Sequence, residues 1–263
     1  MAGISRAYKR RGQGMEAQVL ALAPSLWLDA NAPNILFQDS AMTTPATATN
    51  DPIGAWADRS GNGRHLTQAT AGSRPVLTKE ILSGKNGITF NGTSHVLKSG
   101  GTFGTDAGLN GNPSFTVFFV YKKTATTLGN VFGWGNVSAA REVFGVYDEG
   151  VNQLGYQFAG LTEFNTTNPA VNTWYLRTAR KTPGAINTTL TSTRNSANDA
   201  TGTPSSLTPN ISGGFPFSLG TWGNSASPLL QGSVVEFLVF NTALTVPQSS
   251  DVSFYLNSKW SVY

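Results

Sequence analysis

Asp58, Ser60 and Asn62 stand at alternate positions and are followed by Gly63, which is how the oxygen ligands of an EF-hand calcium loop begin. Such a loop also needs a bidentate Glu at its twelfth position, and counting from Asp58 that position is Ala69. No carboxylate follows until Glu80, so the segment alone offers one negative charge, too little for a tight hard-cation site. A structural reading explains more of it. Ser60-Gly61-Asn62-Gly63 suits a turn that needs positive φ, with Asp58 accepting backbone N–H bonds inside it. We read Asp58, Ser60, Gly61, Asn62 and Gly63 as a turn, keep Ca2+ at Asp58 and Asn62 as the weaker alternative, and expect no other cofactor.

Acid/base or nucleophilic chemistry finds little to work with. The acids are scattered singly apart from Asp148 and Glu149, which as neighbours on a strand would face opposite sides. His65 and His95 are isolated, no Gly-x-Ser-x-Gly elbow is present, and the absence of cysteine removes thiol nucleophiles, thiolate metal sites and disulfides. The expectation is a protein that is not an enzyme. Sugar binding is the better candidate, because aromatic faces flanked by Asn and Asp grip pyranose rings. Trp134-Gly135-Asn136 and Trp222-Gly223-Asn224 repeat one tripeptide, and Tyr147 and Trp174 also lie in or beside Gly/Asn-rich turns. Trp134, Asn136, Tyr147, Trp222 and Asn224 are therefore candidate carbohydrate contacts. The competing reading is core filling, since tryptophan is usually largely buried.

These residues must be positioned by strands. Only 12% of residues are charged, and 29 Gly and 13 Pro punctuate short apolar runs, which favours strands and tight turns over amphipathic helices. At 263 residues the chain suits one large all-β sandwich. The run "SFTVFFVYKK", Ser114 to Lys123, is continuously β-branched and aromatic, as expected of a strand buried on both faces. "QVLALAPSLWLDA" reads as the first strand, and "NVFGWGN", "REVFGVYD", "LGYQFAG", "NTWYLRTARK", "INTTLTSTRN", "FPFSLGTWGN" and "GSVVEFLVFN" read as later ones. Thr245 as N-cap, Pro247, and Val252, Tyr255, Leu256 and Trp260 at helical spacing predict a short C-terminal helix. No segment has the roughly 20 apolar residues of a membrane span, so a soluble protein with no membrane partner is expected.

Net charge is +4, and Arg6, Lys9, Arg10 and Arg11 supply four positives by themselves, which leaves 14 of each sign in the remainder. With Tyr8 they form a basic arm on a neutral body. We divide the chain into an extended arm, 1–18, and a sandwich domain, 19–263. The arm has too few aromatics for sequence-specific nucleic-acid readout, so it is expected to dock on protein. It also lacks an apolar stretch of signal-peptide length, which argues against Sec export.

The ordered motifs "LWLDA", "WADRSGNGRHLTQATAGSRP", "GITFNGTSHVL", "FTVFFVYK", "GSVVEFLVFNTALT" and "YLNSKW" resemble the concanavalin A-like lectin/glucanase superfamily, specifically its LamG-like domains. The resemblance spans about Leu22 to Tyr263 and implies a two-sheet antiparallel jelly roll. Glucanases of that superfamily carry a Glu-x-Asp-x-x-Glu strand, which this chain lacks. LamG-like domains of this pattern occur in bacteriophage virion proteins. The expected function is a virion accessory protein, a capsid decoration or head- or tail-associated component made in the host cytoplasm. Its arm would grip major capsid or tail proteins, with homo-oligomers a further option. The alternative is an adhesion module for host-surface glycan.

Overall fold

Alternation of side chains across one strand decides the layering of this molecule. In the computed structural model, which describes residues 14–148, 153–158, 162–201, 205–223, 225 and 229–263, the strand Phe115–Lys123 is buried along nearly its whole length. Phe115, Val117, Phe119 and Tyr121 enter one apolar cluster while Phe118 and Val120 enter another. The first cluster fills the space between two sheets. The second lies between one of those sheets and two helices.

The helix-backed sheet has eight strands among the described residues, centred on Phe115–Lys123, Tyr175–Lys181 and Gln231–Phe240, with Leu26–Asp29 paired to the last of these. The second sheet has ten, with Val143–Asp148, Gly129–Gly135 and Phe217–Leu219 adjacent at its middle. Among the described residues every pairing between named strands is antiparallel. The sandwich expected from composition is the architecture observed.

The C-terminal helix runs Val246–Trp260 and starts as its sequence requires. The Thr245 side chain accepts from the Gln248 backbone N–H, and the Gln248 side chain accepts from the Thr245 N–H, a reciprocal capping box. Val252, Tyr255, Leu256 and Trp260 are buried against the sheet, each worth about 1.5–3 kcal/mol of apolar burial at most.

The first predicted strand is corrected at its front half. Residues 14–21 form a helix, and only Leu26–Asp29 is strand. Met15, Val19 and Leu22, spaced for one helical face, pack into the layer beside the C-terminal helix. The predicted extended arm 1–18 therefore gives way to helix from residue 14, and residues 1–13, including Arg6, Tyr8, Lys9, Arg10 and Arg11, lie outside the described residues. A second correction concerns "INTTLTSTRN", where Ile186–Thr189 makes a single helical turn before the strand Leu190–Arg194 begins.

Candidate functional site

The Asp58 turn is saturated by its own neighbourhood. Oδ1 accepts from the Trp27 N–H at 3.0 Å and the Ser60 N–H at 2.9 Å, while Oδ2 accepts from Ser60 Oγ at 2.7 Å and the Arg64 N–H at 3.0 Å. Asn62 turns its amide away from Asp58 to donate to the Pro24 and Ser25 carbonyls and to Ser60 Oγ. Gly61 and Gly63 both take positive φ. Among the described residues no group of three or more His, Asp or Glu side chains could hold a metal ion.

Beside this turn lies a charged cluster that spacing alone does not reveal. Glu236 has 0% exposure, and its carboxylate accepts from Trp27 Nε1 at 2.8 Å, Tyr255 Oη at 2.9 Å, Trp260 Nε1 and Lys259 Nζ at 2.9 Å. Lys259 also pairs with Asp29 at 2.6 Å, Asp29 with Arg59, and Arg59 with Glu16 on the 14–21 helix at 3.3 Å. Burial pushes the Glu236 carboxyl above its ordinary range against the pull of Lys259. Burial also acts to lower the Lys259 ammonium, but Glu236 and Asp29 outweigh it and hold the group above 10.5. Asp29 and Glu236 thus share the one Lys259 ammonium. Here every Glu236 oxygen is spent on protein donors and none faces solvent. Asp148 is similarly committed inside the sandwich, where it meets Lys123 Nζ at 3.0 Å, and buried Arg177 pairs with Asp199. Glu149 lies outside the described residues.

The sugar candidates separate into different environments. Trp134 is corrected: its ring has 0% exposure and is packed in the inter-sheet core against Phe103, Phe115, Phe132, Phe144 and Phe217. The reason is strand alternation, which turns Phe132 and Trp134 inward and Gly133 outward. Asn136 is half-buried and donates to Glu142 Oε2 at 3.2 Å. Trp174 is half-buried on another strand boundary, with Lys122 Nζ 5.1 Å from its ring. Asn224 lies outside the described residues.

Trp222 and Tyr147 are brought together. Both are half-buried, and their rings stack with centroids 6.2 Å apart and planes 19° from parallel. Gly133 and Gly145 are directly paired across the ladder, and a Cβ on either would collide with Trp222. This pair of glycines is the floor on which the indole lies, on the outer face of the second sheet. A glycine inside a strand signals such a close approach, so "VFGWGN" and "VFGVYD" hold the clue in the sequence. The same face holds Asn130, which pairs with Tyr147 one row along and is fully buried with no hydrogen-bond partner for Oδ1 or Nδ2. Leaving such groups unmet costs on the order of 1–3 kcal/mol each.

No protein-family model matches the chain, and no curated protein is similar to it in sequence. Solved structures do share its architecture. A GH54 α-L-arabinofuranosidase soaked with a cyclic sulfate inhibitor superimposes with a TM-score of 0.63 at 14% identity, over 90% of this chain and 63% of that one. Trypanosoma rangeli sialidase in complex with sialic acid superimposes with a TM-score of 0.56 at 11% identity, over 98% of this chain and 39% of that one. The chain thus spans less than two thirds of each protein, and the likeness is one of a lectin-like β-sandwich fold.

Glu236→Ala would leave the Trp27 and Trp260 indole N–H groups and the Tyr255 hydroxyl without their buried acceptor, and at on the order of 1–3 kcal/mol for each group we expect it to cost about 3–5 kcal/mol in urea unfolding. Lys259's share is fully present below 10.5 and is lost as pH rises through its raised folded value, so alkaline titration should erode stability in that range. A loss under about 1 kcal/mol, the size of an exposed ion pair, would contradict a structural role for the cluster.

Proposed function

We propose that this chain is a non-catalytic, LamG-like module that binds glycan through the outer face of its second sheet. The observation that carries the reading is the half-buried Trp222 and Tyr147 stack on its Gly133 and Gly145 floor. An aromatic face held flat and rigid at a surface matches the apolar side of a pyranose ring, at little cost in side-chain entropy. The shared architecture with parts of carbohydrate-active enzymes makes sugars the first ligand class to test. The non-catalytic half of the reading is supported by Glu236 and Asp29, which are committed to Lys259 and Arg59. Binding to a panel of bacterial cell-wall and capsular polysaccharides should be detectable for the intact protein. Trp222→Ala should weaken it about tenfold or more, as expected for an aromatic anchor, with an unchanged melting temperature. Wild-type affinity in Trp222→Ala would remove the stack from the site.

A second reading is compatible with the first and is favoured by the charge of the N-terminus. Arg6, Lys9, Arg10 and Arg11 precede a helix that is pinned to the body through Val19 and the Glu16 to Arg59 ion pair. Together with the LamG-like motifs, this supports a bacteriophage virion accessory protein, held on capsid or tail proteins by its first residues and presenting the sandwich outward. Deleting residues 1–13 leaves residues 14–21 and every contact described above in place. The truncated protein should keep its melting temperature but fail to join particles, whereas unimpaired incorporation would contradict the anchor.

A further inference from the structure

We propose that Asn130 is the polar floor of the Trp222 and Tyr147 site, where its carboxamide pairs with two adjacent hydroxyls of a bound pyranose; the inference rests on the glycan reading above. Its placement follows from the ladder between Gly129–Gly135 and Val143–Asp148. The register shifts between Val146 and Tyr147, so that Val146 faces Phe132 while Tyr147 faces Asn130. The extra residue is Val131, which joins Phe132 in the inter-sheet core. A bulge of this kind re-aims the following side chain, and Asn130 is thereby left on the face that Tyr147 occupies. Without the bulge, Val131 would face outward and Asn130 would enter the core.

A carboxamide offers one acceptor oxygen and two donor hydrogens. In Asn130 all of these are withdrawn from water and unmet, while the other polar groups of this face find partners: Gly223 N–H donates to the Gly133 carbonyl at 3.2 Å, and Ser218 Oγ to the Gly223 carbonyl. Buried polar groups are normally paired, so an unmet one at a candidate site indicates a missing polar partner. Adjacent hydroxyls on a sugar supply a donor and an acceptor at a separation that suits a carboxamide. Leu229 bridges to the Asn130 backbone at the edge of the strand. A sugar seated on the Tyr147 side of the ladder would trade an unpaired amide for a paired one.

The test is calorimetric titration of the wild type, Asn130→Leu, Asn130→Ala and Trp222→Ala with methyl pyranosides of glucose, galactose and mannose, and with their monodeoxy analogues. Asn130→Leu should keep or raise the melting temperature, because an unmet amide is replaced by an apolar group of similar size, and should bind the preferred pyranoside at least tenfold more weakly. Deoxygenation at one of the paired hydroxyls should weaken binding to the wild type but not to Asn130→Leu or Asn130→Ala, a coupling that a merely structural residue would not produce. If Trp222→Ala loses binding while both Asn130 variants bind as the wild type does, the floor is wrong and the glycan reading stands. If the wild type binds none of these sugars or the polysaccharide panel, the glycan reading falls and takes this inference with it.

Discussion

A carboxylate removed from water must be given donors by the protein around it, and Glu236 sets that requirement for the whole helix-backed layer. It sits on the central strand Gln231–Phe240 at a register shift between Val234 and Glu236. The shift puts the neighbours Val235 and Glu236 both on the helix-backed side, while Val234 and Phe237 enter the inter-sheet core. Its donors come from Trp27 on the first strand and from Tyr255, Lys259 and Trp260 on the C-terminal helix. Through Lys259 and Asp29 the same network reaches Arg59, and through Arg59 it reaches Glu16. Four segments far apart in the chain are thus locked to one anion. Buried ion clusters contribute little net stability over apolar packing but penalise any arrangement that breaks them, so the cluster fixes which segments meet more than how tightly they hold.

This division explains why the recognisable motifs are poor guides to a ligand. "LWLDA", "WADRSGNGR", "GSVVEFLVF" and "YLNSKW" supply Trp27, Asp29, Arg59, Glu236, Lys259 and Trp260, all members or neighbours of the network. What resembles a family in this sequence is scaffold. The candidate site lies across the sandwich, on the far face of the other sheet, and is built from glycines, two aromatics and one amide that carry no charge.

Much of the fold is legible in the sequence because it depends on local pattern. The apolar run of Phe115–Lys123 gives a strand buried on both faces, and Thr245 with Pro247 gives a helix start. The first helix is missed because Leu20 and Leu22 satisfy a strand alternation while Met15, Val19 and Leu22 satisfy a helical face, and tertiary packing decides between them. Glu236 is visible as a charge interrupting an apolar strand, but its partner Trp27 is 209 residues away and beyond any spacing argument. The site is legible in part. Trp134 and Trp222 share one tripeptide, yet only strand register shows that the first faces the core and the second crosses the outer glycines. Asn130 depends on a bulge, a one-residue change in register that side-chain types do not announce.

Under the glycan-binding proposal, the two faces of the sandwich have separate work, one holding the fold and the other meeting the ligand. Amide hydrogen exchange measured with and without a saturating polysaccharide from the binding panel addresses it directly. New protection is expected in Gly129–Gly135, Val143–Asp148 and at Trp222, with Val246–Trp260 unchanged. Protection concentrated instead on the C-terminal helix, Trp27 and Arg59 would contradict it and place the ligand over the Glu236 network.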